Sequence, residues 1–121
     1  MGKIYNEYKQ HIIKKIARQH QVKTFPGKKF KKIIKGKYTV AVLNNTCISA
    51  TPVGKYVIDN YNVDFCMIWT LDKKNNKYII SFRSNEVDVG QIAKLLGGGG
   101  HKLASGVSLD KKKVDIDDLF E

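Results

Sequence analysis

Along residues 4–20 apolar positions recur every three or four residues. Ile4, Tyr5, Tyr8, Ile12, Ile13, Ile16 and Ala17 form one stripe, with Lys and Arg opposite. That spacing predicts an amphipathic helix. Pro26-Gly27 ends any helix nearby. Residues 28–37, KKFKKIIKGK, then read as a basic connection in which Phe30, Ile33 and Ile34 turn back to the core. The period changes at residue 38. YTVAVLN, 38–44, is β-branched and almost wholly apolar, which predicts a strand buried on both faces. Thr51-Pro52 marks a helix start, with Thr51 as cap and proline in the first turn, running to about Tyr61. DFCMIWTL, 64–71, is a second buried strand, with Phe65 and Trp69 in the core. Asp72 to Lys77 is a polar connection of hairpin length. KYIISFR, 77–83, alternates: Tyr78, Ile80 and Phe82 on one face, Ile79, Ser81 and Arg83 on the other.

Asp88 with Gln91 has capping-box spacing, and Val89, Ile92, Ala93 and Leu96 follow at helical intervals. Gly97 stands where a helix C-cap is expected. ASGVSL, 104–109, reads as a last strand, and KKKVDIDDLFE as a charged, peripheral tail. The expected order is helix, strand, helix, strand, strand, helix, strand. That makes an α/β fold: a single small domain with a mixed β-sheet and flanking helices. Its expected organisation is a basic N-terminal helix and connector, 1–37, ahead of a domain spanning 38–121.

Charge sharpens this division. The 121 residues carry a net charge of +11. Residues 1–37 hold 12 Lys/Arg and one acid, Glu7, while the remainder holds 10 basic and 10 acidic residues. The whole excess lies in the first third, which points to a polyanion, nucleic acid first among them. No apolar run is long enough to span a bilayer, and the N-terminus has neither a signal-peptide core nor a myristoylation site. A membrane partner is not expected, and a cytoplasmic setting is. Cys47 and Cys66 lie in apolar stretches without a C-x-x-C partner and read as buried reduced thiols. Two distant cysteines and three scattered histidines make no zinc site. His11 and His20 fall on the basic helix and read as surface residues.

The chemistry concentrates in GGGGHKLASG, Gly97 to Gly106. Glycines cost the most backbone entropy to order, so a run of them signals φ > 0 or close approach. Bare amides rimmed by His101 and Lys102 suit a phosphate. The run is not a Walker loop, because no G-K-[ST] ends it, and it follows a helix instead of opening one, unlike a dinucleotide fingerprint. Arg83 carries a planar fork suited to phosphate and shares a strand face with Ser81. Ser105 and His101 lack the G-x-S-x-G setting of a nucleophile.

SFRSNEVDVGQIAKLLGGGGHKLASGVSL resembles the DHH-associated C-terminal domain of the DHH phosphoesterases. That family's pattern is a strand ending in S-x-R-S, a short helix, then G-G-G-H-x-x-A-x-G before a strand. Ser81, Arg83 and Ser84 match the first part; Gly98, Gly99, Gly100, His101, Ala104 and Gly106 match the second. TVAVLNNT and VGKYVIDNYNVDFCMIW are similar to that domain's first strand, helix and second strand. The resemblance covers roughly residues 38–110. It is nearest the oligoribonuclease-type (nanoRNase-like) members, with RecJ-like exonucleases and cyclic-dinucleotide phosphodiesterases as relatives.

The resemblance implies that this domain binds substrate. Arg83, Gly98 to Gly100 and His101 would grip a phosphate or terminal nucleotide, with Ser81 and Ser84 in support. It also implies a separate domain whose aspartates and histidines hold two metal ions, usually manganese. This chain has no D-H-H triplet and no histidine beside an aspartate, so two-metal hydrolysis has no ligands here. The expectation is therefore binding without catalysis and no cofactor in this chain, whether it is a fragment or a lone domain. The expected partner is single-stranded nucleic acid, a short oligonucleotide or a nucleotide, with a DHH catalytic domain as a further candidate. Other readings stay open: an RNA-binding or oligomerising appendage like the related domain of alanyl-tRNA synthetases, a regulatory protein that binds a cyclic dinucleotide, or a scaffold that docks on a full-length phosphoesterase.

Overall fold

The computed structural model describes the backbone of residues 2–44 and 50–121 and the side chains from residue 7 onward within those spans. Its elements are α1 (Gly2–Ala17), β1 (Gln21–Phe25), β2 (Tyr38–Asn44), α2 (Ala50–Asn60), β3 (Phe65–Asp72), β4 (Lys77–Ser84), α3 (Val89–Leu95), β5 (Gly99–Gly100) and β6 (Ala104–Asp110). Short 3-10 turns cover Lys28–Phe30 and Ile116–Leu119. The strands form one mixed sheet of six in the order β1-β2-β3-β4-β6-β5. Among the described strands only β2 and β3 are parallel, with α2 in their crossover. The other pairs are antiparallel.

Strand β1 is not legible in the hydrophobic pattern. QVKTF offers a single buried residue, Phe25, and pairs along the edge of β2 from Gln21↔Val42 to Phe25↔Tyr38. An edge strand needs little apolar content, and Lys23 is typical of one. The tail is the second difference. It does not stay peripheral: Leu119 is fully buried and Ile116 nearly so, both in the main core. Gly27 N donates to Leu119 O at 2.7 Å, and Glu121 N donates to Thr24 O at 2.9 Å. Four apolar side chains spaced through KKKVDIDDLFE, Val114, Ile116, Leu119 and Phe120, were masked by the surrounding charge.

The two sheet faces differ. One carries Val40, Val42, Phe65, Met67, Tyr78, Ile80, Phe82, Val107 and Leu109, sealed by α3, by Phe30 and Ile34, and by the C-terminal turn. The opposite face carries Ala41, Leu43, Cys66 and Ile68 under Val53 and Val57 of α2 and Ala17 of α1. Among the described side chains of α1, Ile13 and Ala17 are buried, but Tyr8 is 65% exposed and leaves the predicted stripe. Ile4 and Tyr5 lie outside the described side chains. His20 is half-buried, because its Nδ1 pairs with Ala17 O at 2.8 Å and its ring rests on Tyr61. Cys66 is buried as expected, and burial pushes its thiol up to about 12; Cys47 lies outside the described residues.

Candidate functional site

Helices α1 and α2 cover the β2–β3 side of the second face, and α2 reaches over the Arg83 end of β4. The rest of β4, with β6 and β5, stays open. Alternation along β4 puts Ile79, Ser81 and Arg83 there, with Ile79 40% exposed. Ser81 pairs with Gly106, and Gly106 with Gly99. One hydroxyl and two glycines therefore make a row of nearly bare backbone across three strands. An open depression of about 580 Å³ lies on it, lined by Lys77, Ile79, Ser81, Gly97, Gly98, Gly106 and Ser108 among others.

Arg83 borders this floor beside α2. Its Nη1 donates to Phe82 O at 2.8 Å and to Ser105 O at 3.5 Å, and its Nη2 donates to Thr51 Oγ1 at 3.1 Å. Its Nε is buried with no partner among the described residues. No carboxylate pairs with it among the described residues. Thr51 is not the helix cap that the sequence suggested. It lies inside α2, and its hydroxyl is turned to Arg83.

The glycine run is more ordered than a flexible loop. Gly97 has φ +97° and sits just past the end of α3. Gly97 N donates to Lys94 O and Gly98 N to Ala93 O, the paired bonds of a Schellman motif. A Cβ at Gly98 would fall on the Gly106 carbonyl. Gly100 has φ +143°, and a Cβ there would stand 2.5 Å from Ser105 Cα. Gly99 alone of the four has neither a left-handed φ nor any atom within 4 Å of an added Cβ. Three of the glycines are thus demanded by the turn and by close packing, and Gly99 lies exposed on the edge strand beside Gly106.

His101, Lys102 and Leu103 form the exposed tip between β5 and β6. His101 N donates to Ala104 O at 2.8 Å, and Ala104 pairs with Arg83 across the sheet. The tip is pinned at both sides: Val89 N donates to Lys102 O at 2.8 Å and Ser84 N to Leu103 O at 3.0 Å. Arg83, Ser81, Gly99 and the His101–Lys102 tip are therefore brought to one region. Ser84 is not. It is buried on the other face of β4, where its hydroxyl accepts from Glu86 N at 3.2 Å. Ser105, also buried, donates to Val89 O at 2.7 Å and anchors α3.

The DHHA1 domain family matches residues 35–121. The chain belongs to that family. The DHHA1 match contains every residue of the depression and ties the chain to nucleotide and nucleic-acid chemistry. A curated relative, the bifunctional oligoribonuclease and PAP phosphatase NrnA of Mycoplasma pneumoniae, is 42% identical over 57 residues, 46% of this chain. The chain spans only 17% of that relative's length. The solved structure of PggH, a pGpG-specific phosphodiesterase from Vibrio cholerae, aligns over 61% of this chain and 28% of its own at 10% identity, with a TM-score of 0.48.

Among the described residues of this DHHA1 chain, no three of His, Cys, Asp and Glu stand together so as to hold a metal ion. They do not fit the manganese pair of the resemblance. Among the described residues, no helix is long and apolar enough to cross a membrane. Sequence reasoning placed Ser81 and Arg83 on one strand face and singled out the glycine run that follows α3. It missed Thr51 as a partner of Arg83 and Gly54 beneath it, because that contact spans 32 residues and no local pattern encodes it.

Proposed function

We propose that this DHHA1 domain is the substrate-recognition part of a DHH-type phosphoesterase. It holds a phosphate of a short single-stranded oligonucleotide or nucleotide on the open face of the sheet. The supporting observation is Arg83. Its guanidinium is half-buried without a carboxylate among the described residues, beside a floor of bare backbone. Arginine is rarely held in that state without a counter-ion, and its fork matches a phosphate. His101 and Lys102 at the tip add donors to the same ligand. The lysine-rich first third raises the local concentration of the strand and speeds encounter. Hydrolysis belongs to manganese ligands outside this chain, so the expected result is binding without turnover.

The test is fluorescence anisotropy of a labelled single-stranded pentaribonucleotide across a salt series, with manganese present and absent. Arg83→Ala is expected to weaken binding by about 1–3 kcal/mol and to lower the salt slope by about one. Unchanged affinity in Arg83→Ala, with binding abolished by joint Lys28, Lys32 and Lys35→Gln substitution, would overturn the site. Release of mononucleotides by the pure chain would overturn the claim of binding without turnover.

A further inference from the structure

Helix α2 lies outside the sequence motif that points to phosphate, yet it packs directly on Arg83. Thr51 Oγ1 accepts from Arg83 Nη2 at 3.1 Å. Gly54, one turn along, is fully covered by the stem of the same residue. A Cβ there would stand 2.6 Å from Arg83 Cγ and 3.0 Å from Arg83 Cβ. Any other residue would push the helix off the strand. The helix is also clamped to the end of β4. Asn85 Nδ2 donates to Asp59 Oδ1 at 3.1 Å, and Lys55 Nζ donates to Asp59 Oδ1 at 3.1 Å and to Asn85 Oδ1 at 3.3 Å.

We infer that α2 forms one wall of the anion seat and that Thr51 is a positioning residue for Arg83. The inference rests on the reading of Arg83 as the phosphate ligand. An unheld arginine has several rotatable bonds and loses much side-chain entropy on engaging an anion. Here three hydrogen bonds and the packed stem settle the guanidinium before the ligand arrives, which lowers the cost of binding. A hydroxyl suits this role. It accepts from the guanidinium without neutralising it, as a carboxylate would, and its own proton remains to be donated elsewhere. A carboxylate at position 51 would compete with the phosphate for Arg83.

The test is a double-mutant cycle on the full chain with the same labelled pentaribonucleotide, at low salt so that residual binding stays measurable. Thr51→Val keeps the shape and removes the hydroxyl, and is expected to weaken binding roughly tenfold. Thr51→Ser, which restores the hydroxyl, is expected to recover most of that loss. In the Arg83→Ala background, Thr51→Val is expected to have no further effect, because it acts through the missing guanidinium. Thermal midpoints of all variants are measured alongside to separate unfolding from loss of binding. Equal losses in both backgrounds, or full affinity in Thr51→Val while Arg83→Ala is impaired, would overturn the role of Thr51 alone. Full affinity in Arg83→Ala would remove the phosphate reading on which it rests.

Discussion

Strand β4 runs between two chemistries. Its even positions, Tyr78, Ile80, Phe82 and Ser84, are buried in the sealed core, and its odd positions, Lys77, Ile79, Ser81 and Arg83, face the open half of the sheet. The two faces share a backbone and a register and differ only in what covers them. Sealing one face with α3 and the C-terminal turn supplies the hydrophobic stabilisation. The other face can then leave its β6–β5 side unburied. A small domain can expose a bare floor on one side because it is closed on the other.

That contrast can be broken most forcefully from the sealed side. Phe82 is fully buried and packs against Phe65. Phe82→Ala is expected to cost about 3–5 kcal/mol in urea denaturation, with oligonucleotide affinity of the remaining folded protein unchanged. Loss of affinity in folded protein would mean that the two faces are coupled. The glycines divide the same way. Gly98→Ala drives a methyl into the Gly106 carbonyl and is expected to cost about 1–3 kcal/mol. Gly99→Ala meets nothing and is expected to shift stability by less than about 0.5 kcal/mol while weakening binding, because it fills the floor. Full binding by Gly99→Ala would move the ligand off that row.

Smaller effects sharpen the comparison. The tail that closes the sealed face is tied by Lys29 to Asp118 at 3.0 Å and by Lys31 to Glu121. The hydrogen bond from Lys29 holds Asp118 below the usual carboxylate range, and that from Lys31 does the same for Glu121. A depressed carboxylate stabilises the fold above its unfolded value and loses that contribution as pH falls through the folded one. Thermal midpoints should therefore decline below about pH 4, and Lys29→Met with Lys31→Met should flatten the decline. These are exposed pairs, and the expected change is slight. A pH profile untouched by the double substitution would show that the tail is held by its apolar packing and backbone hydrogen bonds without help from these pairs. On the face opposite the sealed core, Cys66 lies under α2 directly across from Arg83. Burial pushes its thiol up to about 12, so in a Cys47→Ser background alkylation at neutral pH should proceed only as fast as α2 lifts or the domain unfolds. Labelling at the rate of a free thiol would show that α2 is not a fixed wall.

The elements between residues 38 and 110, apart from the short β5 inside the glycine run, were legible because each has a local physical cause. The apolar runs of β2 and β3, the alternation of β4, and Asp88 as the cap of α3, accepting from Gln91 N at 3.0 Å, all act within a few residues. Charge patterning in the first third and the order of the glycine motif were equally plain. The sequence by itself therefore determined the α/β class, the face that Ser81 and Arg83 share, and the loop that ends α3. Only the tertiary structure decided that β1 joins the sheet as an edge, that Leu119 closes the core, that Ser84 turns away from Arg83, and that Thr51 and Gly54 stand against it. Those outcomes depend on pairings between residues tens of positions apart. A long-range contact leaves no period in the sequence, and its energy exists only once the elements that carry it have packed.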